Sequence, residues 1–229
     1  MTESPKLSVK MVMIDLDGTL INTAPDLADS VNIMLQRMGR EPWPLDKVSG
    51  WIGNGVSRLV KRALTDSMDA EPQQADYDAG YALFLQAYGE NVSAKSRPYA
   101  GVVAGLDKLQ AMGFRLACVT NKAEAFTLPL LADLKLDKYF ELVVSGDTLP
   151  RKKPDPLPLT HACEFFGIQP QQGLLVGDSA NDVKAALAAG MPVMCVNYGY
   201  NQGVDLTTLK TQGVIDSLEK LDQYISLLN

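Results

Sequence analysis

The sequence contains little cysteine and little histidine. Its 229 residues include three cysteines and one histidine, and Cys118, Cys163 and Cys195 lie far apart without forming a C-x-x-C pair. Dispersed cysteines inside apolar runs indicate reduced thiols in a protein core, which predicts a reducing compartment and hence a cytoplasmic protein. Because His161 is alone, histidine-based metal sites and Ser-His-Asp triads are disfavoured.

An excess of positive charge and long apolar runs are also missing. The 21 Lys and Arg against 27 Asp and Glu give a net charge of −6, and no cationic face for nucleic acid is apparent. No segment approaches the roughly 18 uninterrupted apolar residues that a membrane helix needs, and no apolar signal segment follows the first residues. We therefore expect a small-molecule partner rather than nucleic acid or a membrane, and a monomer or homodimer.

Short apolar runs alternate with helical patterns along most of the chain. Strands that alternate with helices predict a parallel sheet, so we expect an α/β fold with a Rossmann-like parallel sheet. The block from 22 to 97 interrupts this alternation, because its apolar residues recur at helical spacing only. We predict an α/β catalytic core from 1–21 and 98–229, with a helical cap inserted at 22–97.

Polar residues follow four of the predicted strands at the point where each strand ends. Asp15 and Asp17 follow the first strand, Thr120 and Asp178 follow two others, and Lys153 lies in a loop after a further one. Because parallel strands end at one edge of a sheet, these side chains should lie together. Asp15, Asp17 and Asp178 offer the hard oxygen ligands that suit Mg²⁺ better than zinc.

This set of side chains suits phosphoryl transfer. If Asp15 attacks phosphorus, each pair of like unit charges at 4 Å costs about 4 kcal/mol at an effective dielectric of 20. Mg²⁺ and Lys153 would offset that repulsion, and Thr120 would hold the phosphoryl oxygens. The result is an aspartyl-phosphate intermediate that water later splits. Asp17 could protonate the leaving alcohol and then activate the water.

Four motifs together resemble the haloacid dehalogenase superfamily. They are D-L-D-G-T at 15–19, the strand-ending Thr120, Lys153 in K-K-P-D-P, and G-D-S-A-N-D at 177–182, in the order of that family. The resemblance implies roles for matching positions. Asp15 would be nucleophile and Mg²⁺ ligand, Asp17 would be the acid/base and a ligand through its backbone carbonyl, and Asp178 would be the third ligand.

The resemblance also implies roles for the neighbours of these residues. Thr120, Asn121 and Lys153 would hold the phosphoryl group. Asp182 would lie behind the ligands together with Ser179, where it could orient Lys153 or a metal-bound water. Members that dehalogenate lack the second aspartate of the first motif, so Asp17 favours phosphate chemistry.

Three shorter stretches resemble the bacterial members of this superfamily that hydrolyse 2-phosphoglycolate. They are W-I-G-N-G at 51–55, K-K-P at 152–154 and N-Y-G-Y-N at 197–201. We therefore expect 2-phosphoglycolate as the substrate. Gly53, Asn54 and Gly55 would bind its carboxylate through backbone N–H groups, unless they form only a helix-joining turn. Arg58 could pair with the same carboxylate, or it could be a solvated helix residue.

Several alternatives remain open at this stage. One is a phosphatase for another small phosphate ester or for pyrophosphate. A sugar phosphomutase is less favoured, because related mutases use a histidine after the first motif and the stretch 20–34 has none. A phospho-receiver or a non-catalytic binding protein would combine similar residues. Receivers, however, lack such a helical block and do not carry the acceptor on their first strand.

Overall fold

The computed structural model describes residues 6–228, and its centre is a parallel sheet. The strands are β1 (Leu7–Val9), β2 (Met11–Ile14), β3 (Ile21–Asn22), β4 (Arg97–Pro98), β5 (Arg115–Val119), β6 (Leu142–Val144), β7 (Gly173–Gly177), β8 (Val193–Val196), β9 (Gly213–Ile215) and β10 (Ile225–Leu227). Six of them form one sheet in the order β6-β5-β2-β7-β8-β9, and every neighbouring pair is parallel. The predicted α/β fold is confirmed.

Helices cover both faces of this sheet. They are α1 (Ala24–Arg37), α2 (Leu45–Ser49), α3 (Val56–Thr65), α4 (Gln74–Glu90), α5 (Val102–Ala111), α6 (Glu124–Asp133), α7 (Leu157–Phe166) and α8 (Ala180–Ala189), with short 3₁₀ turns at 137–139, 170–172, 206–208 and 218–223. Along β2, Val12 and Ile14 join one apolar cluster while Met11 and Met13 join another. Both faces are buried, which explains why this strand is uninterruptedly apolar.

The helices α1–α4 lie between the two short strands β3 and β4. These strands pair antiparallel, with Ile21 opposite Pro98 and Asn22 opposite Arg97. We use the word cap for residues 22–97, and its two connections to the sheet therefore run side by side. The sequence did not predict this ribbon, because a two-residue strand carries no readable periodicity.

The cysteines and the helix lengths can be compared with the expectations of reduced core thiols and of a chain without membrane helices. Cys118, Cys163 and Cys195 are free and buried, as expected for reduced core thiols. The longest helix, α4, has 17 residues. Between residues 6 and 228, every helix is too short or too polar to cross a bilayer.

Candidate active site

Lys153 lies between two carboxylates at the carboxyl edge of the sheet. Its Nζ atom is 2.9 Å from Oδ1 of Asp15 and 2.7 Å from Oδ1 of Asp182, and it donates a third hydrogen bond of 2.7 Å to the Val119 carbonyl. Only 2% of the Lys153 side chain is exposed. The lysine is therefore fixed in position, with its charge directed at the residue that follows β2.

Asp178 completes an acidic cluster with Asp15 and Asp182. One carboxylate oxygen from each lies within 4.8 Å of the others. Asp178 accepts hydrogen bonds from the Thr19 hydroxyl at 3.2 Å and from the Tyr200 backbone N–H at 2.5 Å. The predicted convergence of the first and last motifs at one sheet edge is therefore present in the fold.

Gly18 permits this close approach. Its φ is +88°, and a Cβ atom at this position would lie 2.1 Å from Oδ2 of Asp178. A side chain here would be strained by the backbone conformation and would collide with the carboxylate. The glycine that follows Asp17 therefore serves the packing of the acidic cluster.

Asp17 faces away from that cluster, toward the cap. Its Oδ1 accepts a hydrogen bond from the Thr23 hydroxyl at 2.7 Å and lies 3.2 Å from Nζ of Lys122. Lys122 in turn donates to the hydroxyl of Tyr88, on cap helix α4, at 2.5 Å. Asp17 is thus placed where cap and core meet, which is compatible with an acid/base that reaches a leaving group.

Thr120 and Asn121 line the same edge. The Thr120 hydroxyl oxygen accepts a hydrogen bond from the Lys122 backbone N–H at 3.2 Å, which leaves the hydroxyl proton for another acceptor. Asn121 donates to the carbonyls of Lys153 at 2.9 Å and Gly53 at 3.2 Å. The Asn121 side chain therefore connects the loop that carries Lys153 to the cap.

Asp182 has two structural tasks in addition to its contact with Lys153. Its Oδ2 accepts hydrogen bonds from the Ser179 backbone N–H at 3.1 Å and from the Ser179 hydroxyl at 2.6 Å. This pairing forms the capping box at the start of α8. Both oxygens of Asp182 are therefore engaged, and the role expected for Asp182 and Ser179 stays a prediction.

The donor set of the cluster fits a hard cation such as Mg²⁺. Burial, opposed by Lys153, raises the pKa of Asp15 from 3.8 to about 7. Burial and the neighbouring Asp15 and Asp182 raise the pKa of Asp178 well above its ordinary value. Crowded carboxylates of this kind are relieved by a divalent ion, and oxygen donors without Cys or His are those that Mg²⁺ prefers.

Lys122 retains its charge in spite of complete burial. Burial disfavours the ammonium form, but the Asp17 carboxylate and the Tyr88 phenol outweigh this cost, so the pKa of Lys122 lies above its ordinary value. Burial also raises the pKa of Tyr88 to about 12, which keeps the phenol neutral at physiological pH. The pair is an ammonium donating to a neutral hydroxyl.

The loop from Ile52 to Gly55 brings the cap onto the core. The Gly53 carbonyl accepts hydrogen bonds from Asn121 and, at 3.3 Å, from Asn181. The Asn54 carbonyl accepts one from Lys152 at 3.1 Å. The loop expected to contact the substrate therefore lies over the carboxyl edge of the sheet.

A segment after β8 reaches both the acidic cluster and the cap. Besides its N–H bond to Asp178, Tyr200 donates through its hydroxyl to Asn22 at 2.7 Å, next to the first cap connection. Gln202 donates to the Ile52 carbonyl at 2.6 Å. The stretch 197–201 was noted in the sequence only as a resemblance; Tyr200 within it and Gln202 just after it join these two regions.

A cavity of about 30 Å³ lies between the cap loop and the strand ends. It is lined by Asp15, Asp17, Leu27, Ile52, Gly53, Gly55, Val56, Leu59, Thr120, Asn121 and Lys122. The volume suffices for one or two water molecules but is far below the roughly 300–1,000 Å³ of a small-molecule site. In this arrangement of cap and core, the cavity therefore does not hold a whole substrate.

Arg58 is directed elsewhere. Its guanidinium lies 2.7 Å from Glu71 and 3.3 Å from Asp69, both within the cap. Its expected contact with a substrate stays a prediction. Lys122, Tyr88 and Gln202 were not identified as site residues from the sequence, although Lys122 directly follows the Thr-Asn pair of the second motif.

The fold and this centre define a class of α/β proteins in which an inserted helical cap covers an acidic centre at strand ends. The family model described as haloacid dehalogenase-like hydrolase matches residues 12–196. The chain belongs to this family.

Individual proteins agree with this assignment. The chain is 57% identical over 212 residues to a phosphoglycolate phosphatase of Thiobacillus denitrificans, covering 93% of each chain. It is 52% identical over 219 residues to one of Nitrosospira multiformis, covering 96% of each. The crystal structure of a predicted phosphoglycolate phosphatase from Haemophilus somnus matches with a TM-score of 0.88 and 36% identity, over 94% of this chain and 97% of that one.

Proposed function

We propose that this protein hydrolyses 2-phosphoglycolate to glycolate and phosphate, with Mg²⁺ as its metal ion. The observation that carries the proposal is the Asp15–Lys153 pair, 2.9 Å apart, inside the cluster with Asp178. The substrate is suggested by the relatives named phosphoglycolate phosphatase, at 57% and 52% identity over nearly the whole chain. The cytoplasmic location and the monomeric or dimeric state stay predictions.

The side chains of Asp15 and Asp178 and the backbone carbonyl of Asp17 would hold the ion. When bound, Mg²⁺ supplies positive charge that offsets the repulsion between the phosphate and the attacking carboxylate. At 4 Å and an effective dielectric of 20, that repulsion is about 8 kcal/mol for a dianion against one carboxylate. Lys153 contributes further to the same end, since its buried ammonium already contacts Asp15.

In the first half-reaction Asp15 attacks phosphorus and the ester oxygen leaves. Thr120 donates its free hydroxyl proton to a phosphoryl oxygen, and Asn121 keeps the Lys153 loop in place. Asp17 gives a proton to the departing glycolate oxygen. The products of this step are glycolate and an aspartyl phosphate on Asp15.

In the second half-reaction water attacks the phosphorus of the aspartyl phosphate. Asp17, left as a carboxylate by the first step, takes a proton from that water. The P–O bond to Asp15 breaks, which restores the free carboxylate and releases phosphate. The cap excludes bulk water during the first step and opens between steps.

The test measures phosphate release from 2-phosphoglycolate, glucose 1-phosphate and other small esters, with Mg²⁺ and with EDTA. We expect hydrolysis of 2-phosphoglycolate that EDTA abolishes. Comparable turnover of all esters would reduce the proposal to an unspecific phosphatase, and isomerisation of glucose 1-phosphate would replace it with a mutase.

The nucleophile is tested by the substitution Asp15→Asn. We expect kcat to fall by about four orders of magnitude or more, which is the usual effect of removing a catalytic nucleophile. The exposed Asp137, which precedes β6 at the other end of the sheet, provides the control variant Asp137→Asn. Acid quenching during turnover should place the phosphoryl group on the peptide that contains Asp15, and an adduct elsewhere would contradict the mechanism.

A further inference from the structure

Lys122 is a buried cation to which the proposed mechanism gives no task. The residue is 3% exposed, and its Nζ lies 3.2 and 3.4 Å from the two carboxylate oxygens of Asp17. Nζ also lies 4.6 Å from the ring centroid of Tyr88, whose hydroxyl accepts its shortest hydrogen bond. Burying a charge costs free energy even when it is paired, so a functional reason for this lysine should be sought.

The lining of the cavity shows what Lys122 faces. The cap contributes apolar side chains there, namely Leu27, Ile52, Val56 and Leu59, and the core contributes the polar ones. Among the described residues that line the cavity, Lys122 is the only cation. Lys122 therefore offers a positive charge to any negative group on the leaving part of a substrate in this cavity.

The distance from Lys122 to Asp17 indicates where on a substrate a negative group must lie, relative to the ester bond that breaks, to reach Lys122. Asp17 is proposed to contact the ester oxygen, and Lys122 is 3.2 Å from Asp17. In 2-phosphoglycolate one methylene group separates the ester oxygen from the carboxylate carbon. A group adjacent to Asp17 is therefore within hydrogen-bonding reach of a carboxylate so placed.

Cap closure gives this contact its selectivity. Tyr88 belongs to α4 and Lys122 to the core, so their hydrogen bond exists only with the cap against the core. The first turn of α3, which starts after Gly55, lines the same cavity and adds backbone N–H groups that favour an anion. A short acid would satisfy both groups, whereas a neutral alcohol would leave them without a partner.

We infer that Lys122 is the specificity-determining residue that binds the carboxylate of a short phosphorylated acid when the cap is closed. The inference rests on the proposed phosphatase function and names the residue that selects its substrate. It adds Lys122 to the loop at 53–55 and Arg58, the candidates that the sequence offered for this group.

The test compares three phosphate esters of similar size and different charge. They are 2-phosphoglycolate, ethyl phosphate and phosphoethanolamine, which carry a carboxylate, a neutral methyl and an ammonium group in turn. We expect the unmodified protein to prefer them in that order. In Lys122→Met, the ratio of kcat/KM for phosphoglycolate to that for ethyl phosphate should fall by about 10- to 100-fold, the size of a hydrogen bond between charged groups.

Measuring a ratio separates selection from other effects of the substitution. Turnover of both esters will fall, since Lys122 also contacts Asp17, but inactive or unfolded protein cancels in the ratio. The variant Lys122→Gln, which keeps hydrogen-bond donors for Asp17 and Tyr88, should lose the same selectivity, while Lys122→Arg should retain most of it. The exposed Lys184 on α8 gives the control Lys184→Met, in which the ratio should not change.

The outcomes also distinguish this inference from the proposed function. If the unmodified protein prefers phosphoglycolate and both neutral variants keep its full ratio, the role of Lys122 is wrong and the proposed function stands. If the unmodified protein hydrolyses ethyl phosphate and phosphoglycolate with equal kcat/KM, the proposed substrate and the role of Lys122 are both overturned.

Discussion

The catalytic edge of the sheet and the cap loop above it are held by different kinds of contact. At the edge, buried charges lie against each other, with Lys153 at 2.9 and 2.7 Å from two carboxylates. The loop at 52–54 is held by hydrogen bonds from uncharged amides of Asn121, Asn181 and Gln202, and by one from Lys152. The edge belongs to strand ends of the sheet, whereas the loop belongs to an insertion whose two connections pair antiparallel.

The difference separates chemistry from substrate choice. Buried ion pairs must be complete, because removing one partner leaves an unpaired charge. Exchangeable neutral hydrogen bonds are each worth only about 0.5–1.5 kcal/mol, so they can break and re-form as the cap moves. Changes to the contacts among Asp15, Lys153 and Asp182 should therefore affect stability and every substrate alike, while changes to the contacts of the loop at 52–54 should affect affinity.

The largest effect is expected from Lys153→Met. The substitution leaves Asp15 and Asp182 without their buried counter-charge, so the free energy of unfolding should fall by about 3–5 kcal/mol in the absence of metal. Hydrolysis of all esters should be lost as well. Urea unfolding followed by circular dichroism measures the change in stability.

The neighbouring residue is the matched control. Lys152 is exposed and makes a single hydrogen bond to the cap loop, so Lys152→Met should change the free energy of unfolding by less than about 1 kcal/mol. Equal effects of the two substitutions would contradict the distinction between edge and cap.

The stability of the metal-free protein should fall as pH rises from about 4 to 7. The pKa of Asp15 is raised from 3.8 to about 7 in the folded protein, so the folded state binds more protons than the unfolded state across that window. One such carboxyl group contributes at most about 1.4 kcal/mol per pH unit. Asp178, whose pKa is also raised, acts in the same direction.

Urea unfolding in EDTA at several pH values tests this expectation. Mg²⁺, which binds the folded state, should restore stability most strongly at the upper end of the window. The variant Asp15→Asn should show a weaker dependence on pH. A stability that rises between pH 4 and 7 in the unmodified protein, and equally in the variant, would contradict the crowding of the acidic cluster.

A smaller effect, confined to affinity, is expected from Gln202→Ala. This change removes the 2.6 Å hydrogen bond to the Ile52 carbonyl and so favours the open cap. KM for phosphoglycolate should rise about 2- to 10-fold, the equivalent of one neutral hydrogen bond, with a smaller change in kcat. Gln171→Ala, at the opposite edge of the sheet, is the control.

Arg58→Ala should have the smallest effect. Its guanidinium already pairs with Glu71 at 2.7 Å, so KM should change less than about twofold. Steady-state kinetics with phosphoglycolate, alongside Lys122→Gln, makes the comparison. A tenfold rise in KM would instead support the original expectation that Arg58 reaches the substrate.

The sequence alone identified the parallel sheet and the residues at its carboxyl edge. Short apolar runs that alternate with helical patterns have few compatible folds, and parallel strands must end on one side of the sheet. Asp15, Thr120 and Asp178 could therefore be placed together although 163 positions separate the first from the last. For Asp182 the resemblance left two tasks open, orienting Lys153 or a metal-bound water, and the contact with Lys153 is present in the fold.

Only the tertiary structure decided how the cap meets this edge. Tyr88 and Lys122 are 34 positions apart, and neither stands in a pattern that distinguishes a cap–core contact from ordinary helix packing. Gln202 and Ile52, 150 positions apart, are equally unmarked. Periodicity records which face of an element is buried, but which side chain of the sheet edge meets which side chain of the cap depends on how their surfaces fit together.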